Sequence, residues 1–162
     1  MNNKFRKLAD IRIILFDLEG VLLINNEKSH SDKLKKISES LKNFCLKISK
    51  FDLKGGIVTA SEEEELIKEF KSIPCCEILT STIDKVSLVD KLISKLNLNY
   101  KNVFYIGDGL LDIPLLQKVG FSAAPRNSRR EVKRVVDYIC PAQDGESLLE
   151  DIGNLFLKVY SE

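Results

Sequence analysis

The feature that most constrains this chain is the run Ile11 to Leu23, IRIILFDLEGVLL. Its β-branched and large apolar residues show no polar alternation, the pattern of a strand buried on both faces inside a parallel sheet with helices above and below. The run ends in two carboxylates, Asp17 and Glu19, followed at once by Gly20. Carboxylates at the rim of an apolar strand are costly unless a metal, a partner or water compensates them. In a parallel α/β sheet the carboxyl ends of the strands are also where ligands bind. The run therefore predicts both a central strand and a site at its end.

The rest of the chain alternates strand and helix signals. Apolar residues at Leu34, Ile37, Leu41, Phe44, Cys45 and Ile48 form one face of a helix over Asp32 to Lys50, with Ser29 or Ser31 as its N-cap. The stretch Leu22 to Ser31 before it reads as a polar loop or small hairpin. Short strands follow at Gly56 to Thr59, Cys76 to Leu79, Val103 to Ile106, Phe121 to Ala124 and Tyr138 to Cys140. Helices are expected from about Ser61 to Ile73, ended by Pro74, then over Ile83 to Leu96, Asp112 to Val119, Arg129 to Val136 and Ser147 to Tyr160. This order predicts a three-layer, Rossmann-like α/β fold with a mainly parallel sheet. At 162 residues and 44% hydrophobic content, the chain is expected to form one domain over 1–162.

Composition narrows the partners. Twenty-five basic and 24 acidic side chains leave a net charge of +1, which gives no electrostatic reason to expect nucleic acid or an anionic membrane. A small polar ligand is the expectation. No apolar run approaches membrane-spanning length and the first residues lack a signal-peptide core, so a soluble, cytoplasmic protein is expected. The four cysteines, Cys45, Cys75, Cys76 and Cys140, have neither disulfide-framework nor zinc spacing. His30, the lone histidine, lies in the polar loop and reads as a bystander.

Chemistry-bearing residues fall at the predicted strand ends and helix starts: Asp17 and Glu19, Thr59, Lys85, and Asp108 with Asp112. FDLEGVLL resembles the first motif of the haloacid-dehalogenase-like (HAD) phosphotransferases, GIVTA the second, Lys85 the lysine of the third, and GDGLLD the fourth in its GDxxxD form. From Asp84 to Cys140 the chain is most similar to the capless branch that contains 3-deoxy-D-manno-octulosonate 8-phosphate phosphatase. The resemblance implies a Mg2+-dependent phosphatase acting on a small phosphate ester, a phosphorylated sugar acid, through an aspartyl-phosphate at Asp17. It implies that Glu19 serves as acid and base, that Thr59 and Lys85 hold phosphoryl oxygens, and that Asp17, the Glu19 carbonyl, Asp108 and Asp112 hold the magnesium. The stretches between Asp17 and Thr59 and between Thr59 and Lys85 leave no room for a cap domain, and an open site suits either a large substrate or closure by a partner subunit, so a homo-oligomer, a tetramer in that branch, is expected.

The chain departs from this pattern in places. Glu19 stands where the first motif has aspartate, Gly109 where the branch has a second aspartate, and AQDGESLLED carries no arginine. Asp108 and Asp112 keep the GDxxxD spacing, but Glu19 and the missing arginines motivate the competing expectation of a noncatalytic relative serving assembly or regulation in activated-sugar metabolism.

Overall fold

A computed structural model describes residues 3–24, 31–80, 84–143 and 145–161 of the chain. A 3₁₀ segment, Asn3–Asp10, leads into β1 (Ile13–Asp17). Then follow α1 (Ser31–Ser49), β2 (Lys54–Val58), α2 (Glu64–Lys71), β3 (Cys76–Leu79), α3 (Lys85–Lys95), β4 (Val103–Ile106), α4 (Ile113–Leu116), β5 (Phe121–Ala124), α5 (Arg130–Lys133), β6 (Tyr138–Ile139) and α6 (Gly145–Tyr160). All six strands run parallel in one sheet of order β3-β2-β1-β4-β5-β6. The α/β architecture read from the alternation is the one observed. Ser29 and His30 lie outside the described residues, as do most of the expected loop or hairpin and Ile83.

β1 is buried at all five positions, and its side chains alternate between two cores as a strand period of two requires. Ile14 and Phe16 join the core under α1, α2 and α6, with Phe44, Leu66, Ile152 and Phe156. Ile13 and Leu15 join the opposite core with Val89, Leu92, Leu116 and Val132 from α3, α4 and α5. β4 repeats the division, Phe104 and Ile106 against Val103 and Tyr105. A strand flanked by two apolar cores has no solvent face, which is why its sequence lacks polar alternation.

Several boundaries differ from the expectations: β2 starts at Lys54 and ends before Thr59, α5 covers only Arg130–Lys133 of the expected Arg129 to Val136, β6 ends at Ile139, and α6 starts at Gly145. The acidic run Ser61 to Glu63 precedes α2 rather than opening it, so only Glu64 and Glu65 sit in its first turn. The helix expected over Asp112 to Val119 is a 3₁₀ turn, Leu110–Asp112, running into the short α4, with Pro114 tolerated in its opening turn. Among the described residues no helix is long and apolar enough to cross a membrane.

The topology decides where a site can form. From β1 the chain steps outward to β2 and β3, then returns to the other side of β1 for β4, β5 and β6. The strand order thus switches between β1 and β4, and a crevice opens at their carboxyl ends. The registers Asp17↔Val58 and Phe16↔Ile106 bring the ends of β1, β2 and β4 level.

Candidate active site

Asp17 is the last residue of β1, Thr59 follows β2 directly, Asp108 lies two residues past β4, and Lys85 opens α3. The crevice brings these groups together with Asp112. Lys85 Nζ lies 2.9 Å from Asp17 Oδ1 and 2.7 Å from Asp112 Oδ1, and all three side chains are less than a tenth exposed. Asp108 completes the group: Asp17, Asp108 and Asp112 each offer an oxygen within 4.8 Å of the others.

Asp112 is held by four donors. Its Oδ1 accepts from Lys85 and from the Tyr105 hydroxyl at 2.6 Å, and its Oδ2 accepts from the backbone N–H groups of Asp108 and Gly109 at 3.1 and 3.0 Å. Burial opposes its charge, but Lys85 and these hydrogen bonds outweigh burial and hold the carboxyl below the ordinary aspartate range. Asp17 goes the other way. Burial first and the Asp112 charge second push it up to about 9, and Lys85 only partly offsets them. One ammonium cannot keep two buried carboxylates ionised, and Asp112, with three further hydrogen-bond donors, takes it. Asp17 is thus held toward its protonated form in the metal-free protein, beside the Asp108 carboxyl, itself raised by burial and by Asp112. Burial works against the Lys85 ammonium, yet Asp17 and Asp112 together raise its pKa.

Glu19 has a different environment. The chain after β1 folds back in a tight loop, with Gly20 N–H donating to the Leu23 carbonyl at 2.7 Å and Leu23 N–H to the Leu18 carbonyl at 2.8 Å. The loop turns the Glu19 side chain toward β2, where the Thr59 hydroxyl donates to its carboxylate at 2.9 and 3.1 Å. Thr59 is itself fixed: its backbone N–H donates to the Leu79 carbonyl, and its hydroxyl oxygen accepts from Ser61 N–H at 3.0 Å. Gly20 adopts a φ of +82°, and a Cβ there would lie 2.0 Å from Asp108 Oδ2. Only glycine lets the loop and the Asp108 carboxylate approach this closely.

Three carboxylate oxygens in one cluster suit a hard divalent cation. Because Asp112 already satisfies four donors, Asp17 and Asp108 are the carboxylates free to ligate directly, with Asp112 behind them. A cavity of about 340 Å³ opens over the cluster, lined also by Glu19, Ala60, Lys85, Leu110, Leu111 and Arg129. Thr59 is not in its wall: it is 1% exposed and Ala60 faces the cavity in its place.

Two residues of this neighbourhood escape sequence reasoning. Tyr105 sits in an apolar strand, and nothing in VFYI signals that its buried hydroxyl reaches both Asp112 and, at 3.3 Å, Lys85. Burial, followed by the charges of Asp112 and Asp17, lifts its pKa far above the ordinary value, so it acts as a neutral donor. Arg129 reads as the start of a helix; its place as the residue just before α5, at the carboxyl side of β5, is the signal that could have found it.

The chain is similar in sequence and in fold to known hydrolases. The family model of the haloacid dehalogenase-like hydrolases matches residues 5–152. The 3-deoxy-D-manno-octulosonate 8-phosphate phosphatase of Escherichia coli K12 is 23% identical over 155 residues, covering 93% of this chain and 81% of that protein. A phosphoglycolate phosphatase of Thermoplasma volcanium is 28% identical over 154 residues, covering 88% of this chain and 67% of its own. In fold, the chain is similar to the 3-deoxy-D-manno-octulosonate 8-phosphate phosphatase of Moraxella catarrhalis in complex with magnesium, phosphate and the sugar acid, at a TM-score of 0.79 and 21% identity over 98% of this chain and 92% of that one.

Proposed function

The chain belongs to the haloacid dehalogenase-like hydrolase family, and on that basis we propose that it is a Mg2+-dependent phosphatase of a phosphorylated sugar acid, working through an Asp17 phosphoryl intermediate. The observation that carries this reading is the set of Asp17, Asp108 and Asp112 gathered around Lys85 at the switch point, with Glu19 two residues beyond Asp17 and anchored by Thr59. The phosphatase names of the similar proteins support it.

Asp17 and Asp108, with the Glu19 carbonyl and with Asp112 behind them, would hold a Mg2+ ion, whose charge would favour the ionised Asp17 carboxylate, its proton released to solvent, and would offset the phosphate charge. An Asp17 carboxylate oxygen then attacks phosphorus in line with the leaving oxygen, so that the P–O bond to the sugar breaks as the aspartyl-phosphate forms. Glu19 gives its proton to the leaving alkoxide. It then takes one from the water that attacks phosphorus and frees Asp17. Thr59 keeps the Glu19 carboxylate on its path, and Tyr105 and Asp112 keep Lys85 beside the transferred group, where its charge stabilises the transition state. The longer side chain at position 19 is thus accommodated by a hydrogen bond across the rim, from the end of β2.

We read the chain as one domain without a cap, acting in the cytoplasm with its four cysteines free, and as a homo-oligomer in which a neighbouring subunit covers the open site. The deciding experiment is phosphatase activity with and without Mg2+ on phosphorylated sugars and sugar acids, with Asp17→Asn as control. Mg2+-dependent turnover that the variant abolishes is the expected result. A folded, Mg2+-binding protein that turns over none of them would overturn the reading and leave a noncatalytic relative.

A further inference from the structure

Lys85 and Arg129 are the two basic residues lining the cavity, and they are not equivalent. Lys85 Nζ is engaged by two carboxylates and a tyrosine. Among the described residues the Arg129 guanidinium has no ion-pair partner. Its backbone is nevertheless fixed. Ser128 N–H donates to the Pro125 carbonyl at 3.1 Å, Arg126 N–H to the Ala142 carbonyl at 3.2 Å, and the Arg129 carbonyl accepts from Lys133 N–H at 3.1 Å. A planar guanidinium on such a support suits two-point recognition of an oxyanion.

Its position sets the shape of the ligand. β5 lies two strands from β1, so the carboxyl end of β5, from which Pro125 to Ser128 lead to Arg129, is roughly 10 Å along the rim from that of β1. Between them, after β4, Leu110 and Leu111 stand 48% and 67% exposed and line the same cavity. The order along the rim is therefore carboxylate cluster, apolar surface, free cation. At about 340 Å³ the cavity is at the small end of ligand sites, which run from about 300 to 1,000 Å³. It suits a phosphate, a short carbon chain and one further anion.

We propose that Arg129 is the specificity-determining residue of this site and takes the carboxylate at the far end of a phosphorylated hydroxy acid, an inference that rests on the phosphatase reading above. A carboxylate fits better than a second phosphate on charge. The one guanidinium cancels the single charge of a carboxylate, whereas a second phosphate dianion would leave one charge over, in a cavity already lined by Asp17, Glu19, Asp108 and Asp112.

The test compares 6-phosphogluconate with sorbitol 6-phosphate, which differ in carrying a carboxylate or a CH₂OH at the end remote from phosphorus, and adds sorbitol 1,6-bisphosphate. Two measurements are made in Mg2+: kcat/KM with the otherwise wild-type protein, and calorimetric Kd on the Asp17→Asn background, where the ligand is not consumed. Each is made with Arg129, Arg129→Lys and Arg129→Met. The acid is expected to be favoured over the neutral compound by about tenfold to a hundredfold, the range of a charge-assisted pair. That preference falls below about threefold in Arg129→Met and partly survives in Arg129→Lys. Equal handling of acid and neutral compound by the Arg129 protein, or a preference that Arg129→Met leaves intact, overturns the inference. An Arg129-dependent preference for the bisphosphate over the acid overturns the carboxylate assignment. If nothing is turned over but the calorimetric preference depends on Arg129, the phosphatase reading fails and the inference stands; turnover without preference is the reverse. Neither turnover nor binding overturns both.

Discussion

Replacing Gly20 by alanine tests the geometry at its tightest point. The residue sits at φ +82°, where an L-side chain costs about 1–2 kcal/mol. Its new Cβ would lie 2.0 Å from Asp108 Oδ2 and 2.5 Å from Cγ, against 3.4 Å where ordinary contact begins, so the carboxylate must retreat by about 1.4 Å. Asp108 cannot follow as a whole, because its backbone N–H is tied to Asp112 Oδ2. A misplacement of about 1 Å in a reacting constellation costs on the order of a hundredfold. Gly20→Ala is therefore expected to lower the melting temperature by about 2–8 °C, to weaken Mg2+ binding, and to reduce kcat/KM at least a hundredfold. Calorimetric Mg2+ titration, thermal unfolding and phosphatase kinetics read the three effects. A variant with lowered melting temperature but wild-type Mg2+ affinity and kcat/KM would refute the claim that Gly20 sets the position of Asp108. Gly153→Ala is the matched control. Its Cβ meets only Phe44 ring atoms at 3.8 and 3.9 Å inside α6, where alanine is favoured over glycine by about 0.5–1 kcal/mol, so it should raise the melting temperature and leave activity alone.

Three further outcomes follow from the charges. Lys85→Met leaves the Asp112 carboxylate buried without its cation, which costs about 3–5 kcal/mol; urea unfolding in a chelator should show that loss, whereas unchanged stability in the chelator contradicts the Lys85–Asp112 ion pair. Because Asp17 is raised to about 9 when folded, the native state holds a proton that the unfolded chain gives up near pH 4. Stability of the metal-free protein should thus fall as pH rises from 5.5 to 8.5, by up to about 1.4 kcal/mol per unit, and saturating Mg2+ should flatten the slope. The lowered pKa of Asp112 makes its contribution vanish only below about pH 4, outside that window, so stability that climbs with pH in the chelator sinks the assignment. Glu19→Gln keeps an acceptor for Thr59 but no titratable proton. Steady-state turnover of alkyl phosphates should drop by about 10²–10⁴ while a burst of p-nitrophenol from its phosphate persists, since that leaving group needs no acid; a burst lost in equal measure would remove Glu19 from the proton transfer.

The central strand and the α/β class were legible in the chain itself. An unbroken run such as Ile11 to Phe16 can be satisfied only by burial on both faces, and helix-spaced apolar residues such as Ile37, Leu41, Phe44 and Ile48 supply the layer that covers it. The positions of Asp17, Thr59, Lys85, Asp108 and Asp112 were legible for a related reason: polar residues that stop an apolar strand or open a helix stand out against their neighbours. What each of them meets was decided by the tertiary structure. That β4 returns beside β1 places Asp108 and Asp112 next to Asp17, and strand order is not written in local periodicity. Thr59 meets Glu19 across 40 residues and Lys85 meets Asp112 across 27, contacts that only the parallel register creates. Tyr105 looks like core until the 3₁₀ turn carries Asp112 to its hydroxyl, and Arg129 looks like a helix start until the end of β5 sets it on the rim. Periodicity reports which face of an element is buried; the identity of the group across the crevice depends on how the layers are stacked.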